Sequence, residues 1–306
     1  MSDLTGHIQD YLRLRRALGF KLEFPGQVLP QFAAYLEAAG APTITTELAI
    51  SWAGLPSGVL PVSLAHRLGA VRGFARYLKT IDPATEVPPS GIWPPATRGP
   101  VPFLWQPADI RRLVGGARNL RPELRAATHE ALFGLVAAAG LRIGEAIGLG
   151  RDDADLTSGV LTIRDAKFGR SRLVPLHPTT TSALKSYAAR RDQLCPEPAS
   201  ARFFLSSVGT ALSYGGVHQS FAQVSTAIGL RRPGSRPRIH DLRHSFAVAT
   251  LAEWHRSGTD VRARMAVLST YLGHVNPAGT YWYLSAAPEL MELAAARLDA
   301  RYGARP

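Results

Sequence analysis

Cysteine is nearly absent: the 306 residues contain one, Cys195. That excludes an intramolecular disulfide and a cysteine-based zinc site. Cys195 sits beside Pro196 in a loop-like stretch and receives no catalytic role. Long apolar runs are missing too. Nothing approaches roughly eighteen uninterrupted apolar residues, so no membrane span is expected. The opening Met1-Ser2-Asp3-Leu4-Thr5 has neither a basic nor an apolar leader region, so no signal peptide is expected, and the expected location is cytoplasmic. Lysine is scarce, with 4 against 31 arginines.

Hydrophobic residues make up 46% of the chain, enough for folded cores and too many for a disordered protein. At this length two ordinary domains are expected. The net charge is +12 and the isoelectric point about 10.4. Such a balance fits a polyanionic partner, most simply nucleic acid. A general preference for arginine is the competing explanation. The distribution favours the polyanion. Residues 1–106 carry 9 basic and 7 acidic side chains, whereas residues 107–306 carry 26 and 16. The excess lies in the half that holds the motifs.

The periodicity of apolar residues predicts helices over 2–18, 29–39, 46–53 and 62–78, with Thr45 or Thr46 as an N-cap. Residues 1–80 thus form a helical domain. Residues 81–106 contain Pro83, Pro88, Pro89, Pro94, Pro95, Pro100 and Pro102, a density that reads as a semi-rigid linker. Residues 107–306 form the second domain. Helices are expected over 107–115, 122–139, 179–191, 214–228, 239–255, 261–272 and 277–284, with an amphipathic tail over 288–302. Strands over 160–163 and 172–176 pair about a turn at 167–170, and 202–205 reads as a short strand. The expected fold class is mainly α with a small antiparallel β-sheet, an α+β arrangement.

Three motifs carry the chemistry. They are Gly140-Leu141-Arg142-Ile143-Gly144-Glu145, Ile239-His240-Asp241-Leu242-Arg243-His244, and Leu272-Gly273-His274 with Tyr283 nine residues on. Arginines, histidines and a tyrosine with no adjacent acidic metal cluster suit chemistry on a phosphodiester. Charge builds on the non-bridging oxygens during phosphoryl transfer, and the planar guanidinium fork answers it. Arg142 follows an apolar helix at a tight turn that would aim it into a cleft. Glu145, three residues on, either orients that guanidinium or answers the helix dipole. His240, Arg243 and His244 share one helix face at about 100° per residue, away from an expected buried stripe of Leu242, Phe246 and Ala249. A His-x-x-x-His pair could hold zinc, but Arg243 inside the pair would repel a dication. His244 either joins the site or packs. Lys167, in the hairpin turn, can reach a leaving oxygen and give it a proton. A tyrosine nucleophile must be activated from a pKa near 10. Tyr271, Tyr281 and Tyr283 compete for that role, and spacing alone does not choose.

The ordered set resembles the tyrosine recombinases, the family of phage integrases and Xer-type recombinases. In that family an arginine follows a Gly-Leu pair ahead of an acidic residue, as Arg142 precedes Glu145 here. A hairpin lysine precedes a Val-Pro-Leu strand, matching Lys167. A His-x-x-Arg run matches His240 and Arg243, and a Leu-Gly-His run matches His274. The nucleophile follows that histidine by nine residues, which selects Tyr283. The match spans residues 107–283. Two positions depart from the pattern: Asn276-Pro277-Ala278-Gly279-Thr280 replaces the usual Ser-Thr-Thr stretch, and Phe168 stands where glycine is common.

The resemblance implies a helical core-binding domain joined to a tyrosine-recombinase catalytic domain. It implies a site-specific recombinase that works through a 3′-phosphotyrosyl intermediate, in integration, excision, transposition or resolution. No metal, ATP or other cofactor is implied. The implied partner is double-stranded DNA carrying target sites. The implied assembly is a homo-tetramer on DNA with exchange of the tail 288–302, monomeric when free, alone or with accessory recombinases. DNA-facing arginines are expected at Arg67, Arg72, Arg76, Arg170, Arg172, Arg231, Arg232, Arg236 and Arg238. Two rivals stand beside this reading. A type IB topoisomerase would use the same groups to relax supercoils. A non-catalytic DNA-binding regulator would use none of them, and the complete residue set argues against it.

Overall fold

The computed structural model describes residues 4–93, 102–166 and 170–274. It divides into two compact units, Met1–Pro100 and Val101–Pro306.

Among its described residues the first unit holds four helices: α1 Leu4–Ala17, α2 Glu23–Ala38, α3 Thr46–Gly54 and α4 Pro61–Leu78. Thr45 caps α3 by accepting a hydrogen bond from the Leu48 N–H at 3.3 Å. Helix α2 starts six residues before the expected Leu29. Pro25 falls in its first turn, where no backbone donor is needed, and Pro30 is carried inside the helix. Leu29, Phe32, Leu36, Trp52, Leu68, Val71 and Phe74 form the core.

The proline-rich stretch is partly built into this unit. The Glu86 N–H donates to the Ile44 carbonyl at 2.8 Å, and the Glu86 carboxylate receives the Thr46 N–H at 2.7 Å. Thr85 is buried. Arg72 donates to the carbonyls of Pro88 and Pro89 at 2.8 and 2.6 Å. Prolines lack a donor but leave carbonyls to be used, and a nearby arginine uses them.

The second unit contains α5 Pro107–Ala117, α6 Glu123–Ala139, α7 Ile143–Ile147, α8 Pro178–Leu194, α9 Tyr214–Ala227, α10 Ile239–Arg256 and α11 Val261–Leu272. The sheet is antiparallel in the order β1 Ala154–Asp155, β2 Val160–Ala166, β3 Arg170–Pro175. Residues 202–205 form isolated bridges, Gly150 with Arg202 and Leu205 with Ala211, instead of the expected strand. Helix α6 is buried on several sides, because α5, α8 and α10 all pack on it. It ends at Gly140, whose φ of 60° is a left-handed cap.

The observed class is mainly α with a small antiparallel sheet. Among the described residues no helix is long and apolar enough to cross a membrane.

Candidate active site

Two short sequence devices start the helices that bear the motifs. At α7 the Arg142 N–H donates to Glu145 Oε2 at 3.0 Å, while Arg142 Nη1 donates to Glu145 Oε1 at 2.8 Å. At α10 the Arg238 N–H donates to Asp241 Oδ2 at 2.7 Å, and Arg238 Nη2 to Asp241 Oδ1 at 2.7 Å. In each, an acid in the first turn satisfies an orphan backbone donor and holds a guanidinium at the helix start.

Arg243 departs from the expected helix face. It is 1% exposed, although His240, three residues earlier, is open to solvent. Helix α10 packs against both α6 and α11, so it is covered on two sides and no single buried stripe exists. Ala249, expected in the core, is exposed, while Val248 and Leu251 are buried. The Arg243 guanidinium spans the gap between neighbours. Its Nη1 donates to the Gly140 carbonyl and its Nη2 to the Leu272 carbonyl, both at 2.7 Å.

The end of α11 gathers the site. Gly273 takes φ 67°, and the Gly273 and His274 N–H groups fold back onto Thr270 and Ser269 carbonyls. Three successive carbonyls remain, and each receives one arginine. Tyr271 receives Arg172 Nε at 2.8 Å, Leu272 receives Arg243, and Gly273 receives Arg142 Nη2 at 2.9 Å. Cations at a helix C-terminus answer its partial negative charge.

Arg172 also donates from both terminal nitrogens to Glu145, at 3.1 and 2.8 Å. Its side chain is 10% exposed and that of Glu145 is 8% exposed. The expected DNA-facing Arg172 is therefore a buried partner instead. The strand alternates: Val174 is buried, Leu173 is open, and Arg172 shares the Val174 face. Burial alone would raise the Glu145 carboxyl, but Arg172 and then Arg142 outweigh it and hold it below its ordinary value.

Three histidines here have lowered pKa values. Burial, then the charge of Arg243, lowers His274 to about 4. Arg243 Nη2 lies 2.9 Å from His274 Nε2, and a guanidinium can only donate, so that imidazole nitrogen accepts. His244, against His240 with ring centroids 4.7 Å apart, is lowered to about 4 by burial and then by His240. His240 reaches the surface, yet its ring, packed against His244, is desolvated enough to be lowered, and the charge of Arg243 lowers it further. Burial pushes the Tyr271 phenol up to about 12, and its hydroxyl donates to the Pro175 carbonyl at 3.4 Å.

Residues 106–289 match the phage integrase family, more than half of the chain. The chain belongs to that family, the tyrosine recombinases. It is 46% identical over 310 residues to the y4rB protein of Sinorhizobium fredii, described as an integrase/recombinase, with 99% of each covered. It is 33% identical to tyrosine recombinase XerC of Methylobacterium nodulans, covering 86% of this chain and 81% of that one. The fold is shared with the Tn1549 transposon integrase in complex with transposon right end DNA, at a TM-score of 0.67, 16% identity and 97% and 99% coverage. It is shared with XerA recombinase at a TM-score of 0.53, 18% identity and 99% of each chain. The chain is thus a site-specific recombinase by family.

Within this tyrosine recombinase the structure brings together Arg142, Arg243 and His274, with His240 in the same electrostatic neighbourhood. Lys167, Tyr281 and Tyr283 lie outside the described residues, as do the segments 277–284 and 288–302. Of Arg170 only the backbone is described. Arg67 lies over the Trp52 ring at 3.9 Å and donates to the Trp52 carbonyl at 3.3 Å, while Arg76, Arg232, Arg236 and Arg238 are exposed and Arg231 half-buried. Sequence reasoning missed the supporting roles of Arg172 and Asp241. Strand alternation from Val174 carried the signal for the first, and the Arg-x-x-acid spacing at α10 the signal for the second.

Proposed function

We propose that this recombinase cuts and rejoins duplex DNA through a 3′-phosphotyrosyl bond to Tyr283. The observation that carries the reading is the convergence of Arg142, Arg243 and His274 on one helix end, nine residues ahead of that tyrosine. The Tyr283 oxygen attacks phosphorus and the bond to the 5′-oxygen breaks. Lys167 gives the leaving oxygen its proton, and His240 assists the proton leaving Tyr283 or holds the phosphate. Arg142 and Arg243 balance the charge on the pentacoordinate phosphate, and the neutral His274 contributes a hydrogen bond. The 5′-hydroxyl of a partner strand then attacks the phosphotyrosine and releases the enzyme. One phosphodiester is exchanged for another, so the cycle requires no ATP, and the arginines supply the positive charge a metal would bring.

The helical first unit and the second unit each take a share of the duplex. The exposed Arg76, Arg232 and Arg236, with Arg231, are placed for phosphate contacts that give affinity without sequence selection. The DNA complex of the Tn1549 integrase, which shares the fold, supports duplex DNA as the partner. Family resemblance supports a tetramer on DNA in which segment 288–302 docks on a neighbouring subunit, with monomers in free solution.

The test is a duplex carrying two copies of the protein's own site, found by footprinting. Recombinant junctions on sequencing are the expected product. Relaxation without exchange would instead indicate a topoisomerase, and binding without either product a regulator.

A further inference from the structure

Arg172 occupies an unusual place for a strand arginine. It is one of three arginines on the carbonyls at the end of α11, and these come from three separate elements: the α6–α7 junction, β3 and α10. Its fork reaches both oxygens of the carboxylate that already holds Arg142. A lone Arg142–Glu145 pair would be neutral overall. With Arg172 on the same carboxylate the cluster keeps a net positive charge, in a setting where water screens it little. Gly273 is shaped to the arrangement, because a Cβ there would stand 2.7 Å from Arg172 Nη1.

We propose that Arg172 is a positioning residue for cleavage: through Glu145 and the Tyr271 carbonyl it fixes Arg142 and the Gly273–His274 turn against β3. This rests on the recombinase mechanism above. Arg172 itself touches no phosphate. Its effect reaches the reaction through the aim of Arg142, whose side chain is 30% exposed and open to a ligand, and through the charge the cluster retains.

The experiment compares wild type, Arg172→Met, Arg172→Lys and Arg142→Ala in single-turnover cleavage of a nicked duplex. The scissile position is either a normal phosphate or a neutral methylphosphonate. Arg172→Met should slow cleavage of the normal substrate on the order of 10- to 100-fold, the cost of a misplaced catalytic group. DNA affinity and its salt dependence should stay those of wild type. Arg172→Lys, which restores charge without the fork, should recover part of the rate and serves as the comparison if the methionine variant fails to fold. On the methylphosphonate, where there is less charge to balance, the penalties of Arg172→Met and Arg142→Ala should shrink together. Equal penalties on both substrates would overturn the proposal and leave Arg172 a scaffold residue. A salt slope lower by about one would overturn it in favour of a direct phosphate contact. Absence of any cleavage by wild type would overturn the underlying mechanism, an outcome distinct from normal wild-type cleavage with an indifferent Arg172.

Discussion

Arg243 and His274 meet at 2.9 Å through Nη2 and Nε2, which makes the histidine an acceptor and keeps it uncharged. His274 and His244 are both lowered from 6.5 to about 4 in the fold. The unfolded chain binds protons at these sites near pH 6.5, and the folded chain resists them until about pH 4. Their contribution to stability is therefore complete above pH 6.5 and is lost as pH falls through about 4. Urea midpoints measured at pH 7 and pH 5 should show the fall, and His274→Gln or His244→Gln should flatten it. A slope unchanged in both variants would contradict this account.

Glu145 is the counter-charge for two guanidiniums. Glu145→Gln would leave Arg172 buried beside Arg142 with no carboxylate between them. Breaking a buried ion pair costs about 3 kcal/mol. Chemical denaturation should show a loss of that order, and Glu145→Gln with Arg172→Met should lose less than the two single changes combined. Additive losses would mean that the residues act independently.

Much of this arrangement was legible in the sequence, and the misses have physical reasons. The motif order located Arg142, His240, Arg243 and His274, and helical periodicity placed most elements near their observed bounds. The burial of Arg243 was not legible, since it depends on α6 and α11 covering α10 from two sides. Charge alone marks Arg172 as a basic surface residue. Alternation from the buried Val174 would have turned it inward. Helix α2 begins at Glu23 and not at Leu29, because Pro25 falls in its first turn, where a proline is harmless, and Pro30 is carried inside. In the stretch after α4, proline density reads as a semi-rigid linker, but carbonyl acceptors and Glu86 tie residues 82–89 to the first unit.

Gly140 is required twice over. Its φ is 60°, and a Cβ there would collide with Phe246 Cδ1. Its carbonyl also receives Arg243. Gly140→Ala should destabilise the second unit by about 2 kcal/mol, the scale of overpacking a tight core. Pairing it with Phe246→Leu should recover part of that loss in thermal melts. No recovery would assign the cost to backbone strain alone.

Arg72 and Arg236 contrast a hydrogen-bonded arginine with an exposed one. Arg72 spends its guanidinium on two proline carbonyls, whereas Arg236 is exposed. Arg72→Met should lower stability by about 1 kcal/mol through lost hydrogen bonds and leave the salt dependence of DNA binding alone. Arg236→Gln should keep stability and reduce the slope of log affinity against log salt by about one. The reverse pattern in binding titrations would exchange their roles.

The most direct measurement concerns Tyr283. A duplex bearing the protein's own site, nicked so that the released 5′ fragment diffuses away, traps any covalent intermediate. Wild type should yield a protein–DNA adduct joined through a 3′-phosphate, mapping by mass spectrometry to the peptide with Tyr283, and Tyr283→Phe should yield none. An adduct that persists in Tyr283→Phe, or no adduct from wild type, would contradict the mechanism.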